Sequence, residues 1–287
     1  MKKLMKKTIY FFSILTQAIL SNKRILTGAT IVSSLIIIAA AAPLITWYPP
    51  LKTLVANPFL PPNPSNPFGT DDLGRDIYTN SIYGLRTSLI VGALSTTIAT
   101  LIGILIGAVA GYYGRVLGDV LMRITDMAFI IPSFLLALLI ATILGPNIYN
   151  IMLAIGVTSW PGIARMTRAE FLRVKEQAFV EVARALGVSD RRIIFVHILP
   201  NSLPAIIPYV VLQMSNNILI EAGLGFLGIS DPNIPSLGQL LNIAQQYLTT
   251  SWWIAAFPGL ILSLLIIGFN LLGDGLIDYI NPRLRVR

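Results

Sequence analysis

The sequence contains no cysteine and a single histidine, His197. Disulfide scaffolding, thiolate metal sites and cysteine nucleophiles are excluded, and so is a metal site built from clustered histidines. Charge is scarce as well: 12% of the 287 residues are charged against 55% hydrophobic, with a mean hydropathy of +0.74. Soluble domains carry about twice that share of charge, so several membrane crossings are expected. No Gly-x-x-x-x-Gly-Lys-Ser/Thr string occurs anywhere, which removes the usual phosphate-cradling loop and ATP binding by that route. His197 has no nucleophile or carboxylate spaced to act with it, and a docking or helix-end role is expected for it. An intramembrane enzyme would need such a set, or paired aspartates at membrane depth.

What the chain has in quantity is apolar runs with basic residues between them, for a net charge of +8. Nucleic acid would match the sign, but the basic residues flank the apolar runs, as membrane orientation requires; no nucleic-acid partner is expected. Residues 1–24 have a basic start and a short apolar core, yet no small-residue cleavage site follows Ile19-Leu20. A cytoplasmic or interfacial amphipathic helix is expected there rather than a removed signal peptide. The first span covers 25–47 and ends at Trp47, which suits the headgroup layer. Residues 48–86 form a polar extracytoplasmic insertion, where seven prolines from Pro49 to Pro67 preclude regular helix. Residues 87–276 form the transmembrane core, with further spans near 87–112, 126–144, 151–166, 203–224 and 252–272, and 277–287 form a cytoplasmic tail. Pro132 and Pro161 are expected to kink or break the third and fourth spans. With six spans and both ends inside, all but Lys52, Arg75 and Arg86 of the 21 basic residues lie on the cytoplasmic side.

Three patterns inside this frame bear on function. Gly103, Gly107 and Gly111 recur every fourth residue, which either lets two helices approach closely or is glycine merely tolerated in a span. Gln213, Asn217 and Glu221 share the same spacing and form one polar stripe. Such residues are costly in lipid and face protein or a water-filled path, so interhelical hydrogen bonds to a partner subunit and substrate contact are both open readings for Gln213 and Asn217, and Glu221 is read as a gate or a structural turn. Asp71, Asp72 and Asp76, in GTDDLGRD, fit a solvated turn or a calcium site, although the spacing and glutamate of an EF-hand are absent.

The stretch from Glu170 to Pro200 is a charged island between apolar segments, and seven basic residues from Arg165 to Arg192 place it in the cytoplasm. Phe171, Val174, Ala178, Val182 and Leu186 recur at helical spacing, Gly187 stands where a left-handed cap is needed, and Ser189-Asp190 can open a second, short helix that runs to Pro200. A folded cytoplasmic elbow in so apolar a chain is a docking surface for another protein. A passive channel would need none.

Glu181-Val182-Ala183, then Gly187, then Leu199-Pro200, resembles the EAA loop, here 167–200, of importer-type ABC transporter permeases. Val182 departs from the usual alanine, and His197 stands where isoleucine is general. GTDDLGRD, DVLMRITDMAFIIP, WPGIARMTR, EAGLGFLG and GDGLIDYINPR, the last with Asp274, Asn281, Pro282 and Arg283, resemble the oligopeptide and dipeptide (peptide/nickel) branch, so that the likeness covers nearly Ser21 to Arg287. In DPNIPSLG, Leu237 stands where related permeases have tryptophan.

The resemblance implies an all-α membrane protein with the type I ABC importer permease fold, six transmembrane helices and both termini cytoplasmic, in the plasma or inner membrane of a prokaryote. It implies a heterodimer with a homologous permease, two cytoplasmic ATPase subunits that bind ATP and Mg, an extracytoplasmic substrate-binding protein, and no cofactor in this chain. It implies import of di- or oligopeptides, with oligosaccharides, nickel or glutathione as alternative cargo. ATPase coupling is then expected at Glu181, Ala183, Gly187, Arg191, His197, Leu199 and Pro200. The translocation path or an interface is expected at Gln213, Asn217 and Glu221, and binding-protein contact at Asp71, Asp72, Arg75 and Asp76.

Overall fold

The computed structural model of the chain describes residues 22–280. The expected amphipathic segment up to residue 21 and the Asn281-Pro282-Arg283 match lie outside the described residues.

Helix α1 (Lys23–Ala40) opens at Asn22, whose side chain accepts from the Arg24 amide, and a one-turn helix α2 (Ala42–Ile45) extends it with Pro43 in its first turn. Together they cover most of the first expected span, from two residues before it. Helix α3 (Ile77–Tyr113) starts at Ile77, not near Thr87. Its N-cap is Asp76, whose carboxylate accepts from the Thr79 amide at 2.8 Å, a standard way to satisfy an orphan helix donor. Thr79, Asn80 and Ser81 follow at once and are buried; their polarity hides the helix start from a hydropathy reading. Residues 46–76 hold no helix, in line with their prolines.

Helices α4 (Arg115–Ile130) and α5 (Ser133–Leu144) are bent by 81° across Ile131-Pro132. Proline lacks a donor and disfavours helical backbone at the residue before it, so a break falls here. Helices α6 (Ile148–Thr158) and α7 (Trp160–Lys175) break at Ser159, and Pro161 sits in the first turn of α7, where its missing N–H costs nothing. Helix α8 (Ala178–Ala185) follows. A single turn α9 (Asp190–Arg192) then passes through a π-helical segment, Ile193–Ile198, into α10 (Leu199–Phe226). The short helix expected to stop at Pro200 therefore does not stop. Pro200 lies in the first turn of α10, and Asp190–Phe226 is one helical rod of 37 residues. Helix α11 (Leu237–Ala244) occupies what reads as an outer loop, and α12 (Trp253–Ile280) closes the bundle.

Among the described residues, four helices are long and apolar enough to cross a membrane, and the bent α4–α5 pair makes a fifth if it counts as one span. Lipid supplies no hydrophobic drive between helices, so close packing has to hold them. The α3 glycines do this. A Cβ at Gly103 would lie 2.7 Å from Ile163 Cβ, and one at Gly107 2.6 Å from Thr167 Cβ, both on α7. Of the two readings of that stripe, close helix approach is the one the structure has. The main core joins α1, α3, α10, α11 and α12 through Leu35, Leu89, Ile218, Leu237 and Phe269. Leu237 is fully buried there, which gives the residue that replaces tryptophan a packing role.

Candidate functional site

The elbow begins where α7 ends. Gln177 takes an extended conformation (φ −81°, ψ 143°), so the expected continuous helix from Phe171 to Leu186 is interrupted and its face is reset. Phe171 and Val174 are buried beneath it, then Val180 and Ala183, packed with Ile193 and Ile198. Val182 and Leu186 turn outward with Phe179, and Leu186 is 78% exposed. Gly187 (φ +74°) ends α8: its N–H donates to Arg184 O and that of Val188 to Ala183 O, the paired bonds of a Schellman cap. Ser189 holds the expected N-cap position for α9, but its side chain makes no capping bond.

The other coupling candidates divide by burial. Glu181, Gly187, Arg191 and Pro200 are exposed, His197 and Leu199 half-buried, and Ala183 buried. The elbow is fastened to the end of α3: Tyr112 Oη donates to Asp190, and Lys175 Nζ donates to Tyr112 O. Burial pushes the Lys175 ammonium below its ordinary range, and the charges of Arg184 and Arg115 push in the same direction. Farther up α7, Arg165 pairs with Asp126 of α4 at 2.7 Å and lies 4.2 Å from the Phe129 ring centre.

The polar stripe of α10 does share one face, but that face meets α3. Asn217 Nδ2 donates to Thr96 Oγ1 at 2.9 Å, Ser88 Oγ donates to Glu221 Oε2 at 2.7 Å, and Gln213 Nε2 donates to Asn217 Oδ1 at 3.0 Å. Asn217 is completely buried and Glu221 nearly so. Interhelical bonding therefore accounts for Asn217 and Glu221, and it is bonding inside this chain. Gln213 also reaches a cavity of about 330 Å³ between the α4–α5 break, the α6–α7 break and α10. Tyr209, Asn216, Thr158 and Ser159 line it too, and the sequence reading missed all four. The signal was present in Pro132 and Trp160-Pro161, since broken helices at membrane depth are tolerated where they line a cavity.

The aspartates before α3 turn inward. Asp71 is 2% exposed and accepts from the Leu73 amide, the Arg75 amide and Arg75 Nε, the last at 2.6 Å. Burial pushes its carboxyl up, and the Arg75 guanidinium pulls against that. Asp76 is equally buried and accepts from Asn66 Nδ2 at 2.9 Å besides capping α3. Asp72 and Arg75 are half-buried, 3.5 Å apart. Asp71 and Asp76 thus fold the turn and present no outward face, contrary to the binding-protein contact expected of them. Among the described residues, no three histidine, aspartate or glutamate side chains come together as a metal site.

Comparison with known proteins agrees with this architecture. Residues 103–286 match the family described as "Binding-protein-dependent transport system inner membrane component". The dipeptide transport system permease protein DppC of Alkalihalophilus pseudofirmus is 40% identical over 92% of this chain and 87% of that protein. The oligopeptide transport system permease protein OppC of Bacillus subtilis is 32% identical over 99% of this chain and 93% of its own length. Among solved structures, an inward-facing MetNI methionine ABC transporter aligns with a TM-score of 0.57 at 20% identity, covering 69% of this chain and 94% of that one. An all-helical bundle with several membrane-length apolar helices, a folded basic elbow and these relatives lead to one assignment: the chain belongs to the binding-protein-dependent transport system inner membrane component family, and is a multi-pass membrane permease of a prokaryotic ABC transporter, not an enzyme.

Proposed function

We propose that this chain is one of two homologous permease subunits of an ATP-driven importer of di- or oligopeptides, with six spans and both ends in the cytoplasm. The relatives' names carry the cargo class, and the charge asymmetry of the loops supports the orientation. In this reading α4–α5 and α6–α7 are the two broken spans. A substrate-binding protein delivers peptide from outside, and two ATPase subunits, which themselves bind ATP and Mg, dock at the elbow. Oligosaccharide, nickel and glutathione remain rival cargoes in the same class. They find no support in the relatives' names.

The observation that carries the coupling role is the outward turn of α8. An eight-residue helix exposes Phe179, Glu181, Val182 and Leu186 while Val180 and Ala183 anchor it to the bundle. Apolar side chains beside a carboxylate suit a basic-rimmed apolar groove on an ATPase. Closure of the two ATPases on ATP would then move the elbow, and with it α10. The test is co-purification of the ATPase subunits together with peptide-stimulated ATP hydrolysis in vesicles. Glu181→Lys is expected to weaken assembly by about 2 to 5 kcal/mol, the range for losing one partner of a buried charge pair at an interface. Full assembly and full coupled uptake with Glu181→Lys and Leu186→Asp together would remove the elbow from the mechanism.

A further inference from the structure

The cavity between the helix breaks is lined without charge. Its polar side chains are the Ser133, Thr158, Ser159 and Tyr209 hydroxyls and the Gln213 and Asn216 amides, set beside Phe129 and Ile131. Arg165 lies close by, but it is paired with Asp126 and stacked on Phe129. Several of the polar groups lack a full set of hydrogen-bond partners. Ser159 is 5% exposed and its Oγ is buried with no hydrogen-bond partner, although such a group ordinarily has one. Among the described residues the Asn216 amide and the Tyr209 hydroxyl also make no hydrogen bond, and Gln213 donates to Asn217 alone. Helix α5 adds to the supply. It starts at Ser133, on the cavity wall, behind Pro132 and with no side-chain cap, so its first-turn N–H groups have no intrahelical partner.

We propose that this cavity receives the main chain of the transported peptide, and that its neutral donors and acceptors read the amide backbone while leaving the side chains unread. This rests on the peptide reading given above. A peptide bond brings one N–H and one C=O per residue, whatever its side chains, and each is costly to desolvate unpaired. Amides and hydroxyls can serve both. A charged lining would instead favour substrates of one sign, and a purely apolar one would leave the backbone unsatisfied. At about 330 Å³ the cavity is at the small end of ligand sites, enough for a short stretch of chain. Single neutral hydrogen bonds are also weak enough to release a substrate that must move on.

The complete transporter, reconstituted in vesicles with saturating binding protein, is assayed for uptake of alanyl-alanine, alanyl-lysine and alanyl-glutamate. Gln213→Ala and Asn216→Ala should each raise the apparent KM by roughly two- to tenfold, the worth of one net hydrogen bond, and by the same factor for all three probes. Asn216→Asp should add what the native lining lacks and favour alanyl-lysine over alanyl-glutamate by at least about threefold, one opposite charge in a partly shielded site. Unchanged KM values, or a factor in the alanine variants that follows the probe's charge, would overturn the proposal. Loss of co-purification with the second permease in those variants would overturn it too, by making this wall a subunit interface. If the unaltered transporter imports neither these three probes nor penta-alanine, the peptide reading itself falls. Normal import with unaffected variants rejects only the role given to the cavity.

Discussion

Gly187 and Asn217 show how differently single residues matter here. Gly187 is held at φ +74° with no atom near where a Cβ would sit, so a substitution meets only its own backbone strain. Gly187→Val is expected to cost about 1 to 3 kcal/mol, and Gly187→Asn clearly less, because asparagine tolerates the left-handed region. Uptake by the two variants at equal expression checks the order, and equal loss would argue against strain as the cause. Asn217 is the opposite case, closed in by protein and bonded to Thr96. Asn217→Ala should lower stability by roughly 0.5 to 2 kcal/mol, typical of interhelical hydrogen bonds in membranes. A thermal melt in detergent measures this, and unaltered stability together with a rise in KM would return Asn217 to the path. The stripe's spacing was legible in the sequence. Which neighbour it faced was not, since a period of four places residues on one face without naming the partner helix. Asn216, one position away and about 100° around the helix, carries no mark of its own in the sequence.

At the scale of elements, the small-residue stripe of α3 was readable and its partner α7 was not. Gly107→Val should separate the two helices, because a Cβ there would already fall 2.6 Å from Thr167 Cβ. Expression and folding in membranes should fall sharply, whereas Gly145→Ala, where nothing lies within 4 Å, should change stability only through its φ of +88°. Fluorescence-detected gel filtration ranks the two, and a well-folded Gly107→Val would mean that the helices can part at no cost. Gly187 marked a turn that the structure has, at φ +74°, but the break before it carried no signal. Periodicity carries one helix across Glu176–Gln177, whereas in the structure Phe171 and Val174 are buried and Ala178, Val182 and Leu186 are exposed. The extended Gln177 has no strong breaker residue to announce it. The start of α3 was missed for a related reason: burial of Thr79, Asn80 and Ser81 against the folded insertion is a tertiary fact that hydropathy cannot see. Phe68 stacked on Phe257 at 4.1 Å, and Trp253 Nε1 donating to Thr70 O, fix that insertion to α12.

For the whole molecule, the absence of cysteine makes orientation directly measurable. Single cysteines at Ser65 and Asn233 should react with an impermeant thiol reagent in intact cells, and cysteines at Leu117 and Ala185 only after lysis. All four positions are exposed in this chain, and labelling after detergent has separated the subunits distinguishes sidedness from cover by a partner; labelling of Ala185→Cys in intact cells would invert the arrangement. The π-helical segment and the unbroken rod beyond it have a mechanical consequence. Elbow and bundle are joined by one continuous helical element, Asp190–Phe226, whose 37 residues, Pro204 and Pro208 among them, span about 55 Å at 1.5 Å each. Such an element acts as a lever. A tilt of about 5° at its inner end would displace its outer end by about 5 Å, close to the rise of one helical turn, so that a small stroke below needs no relay of side chains to be felt above.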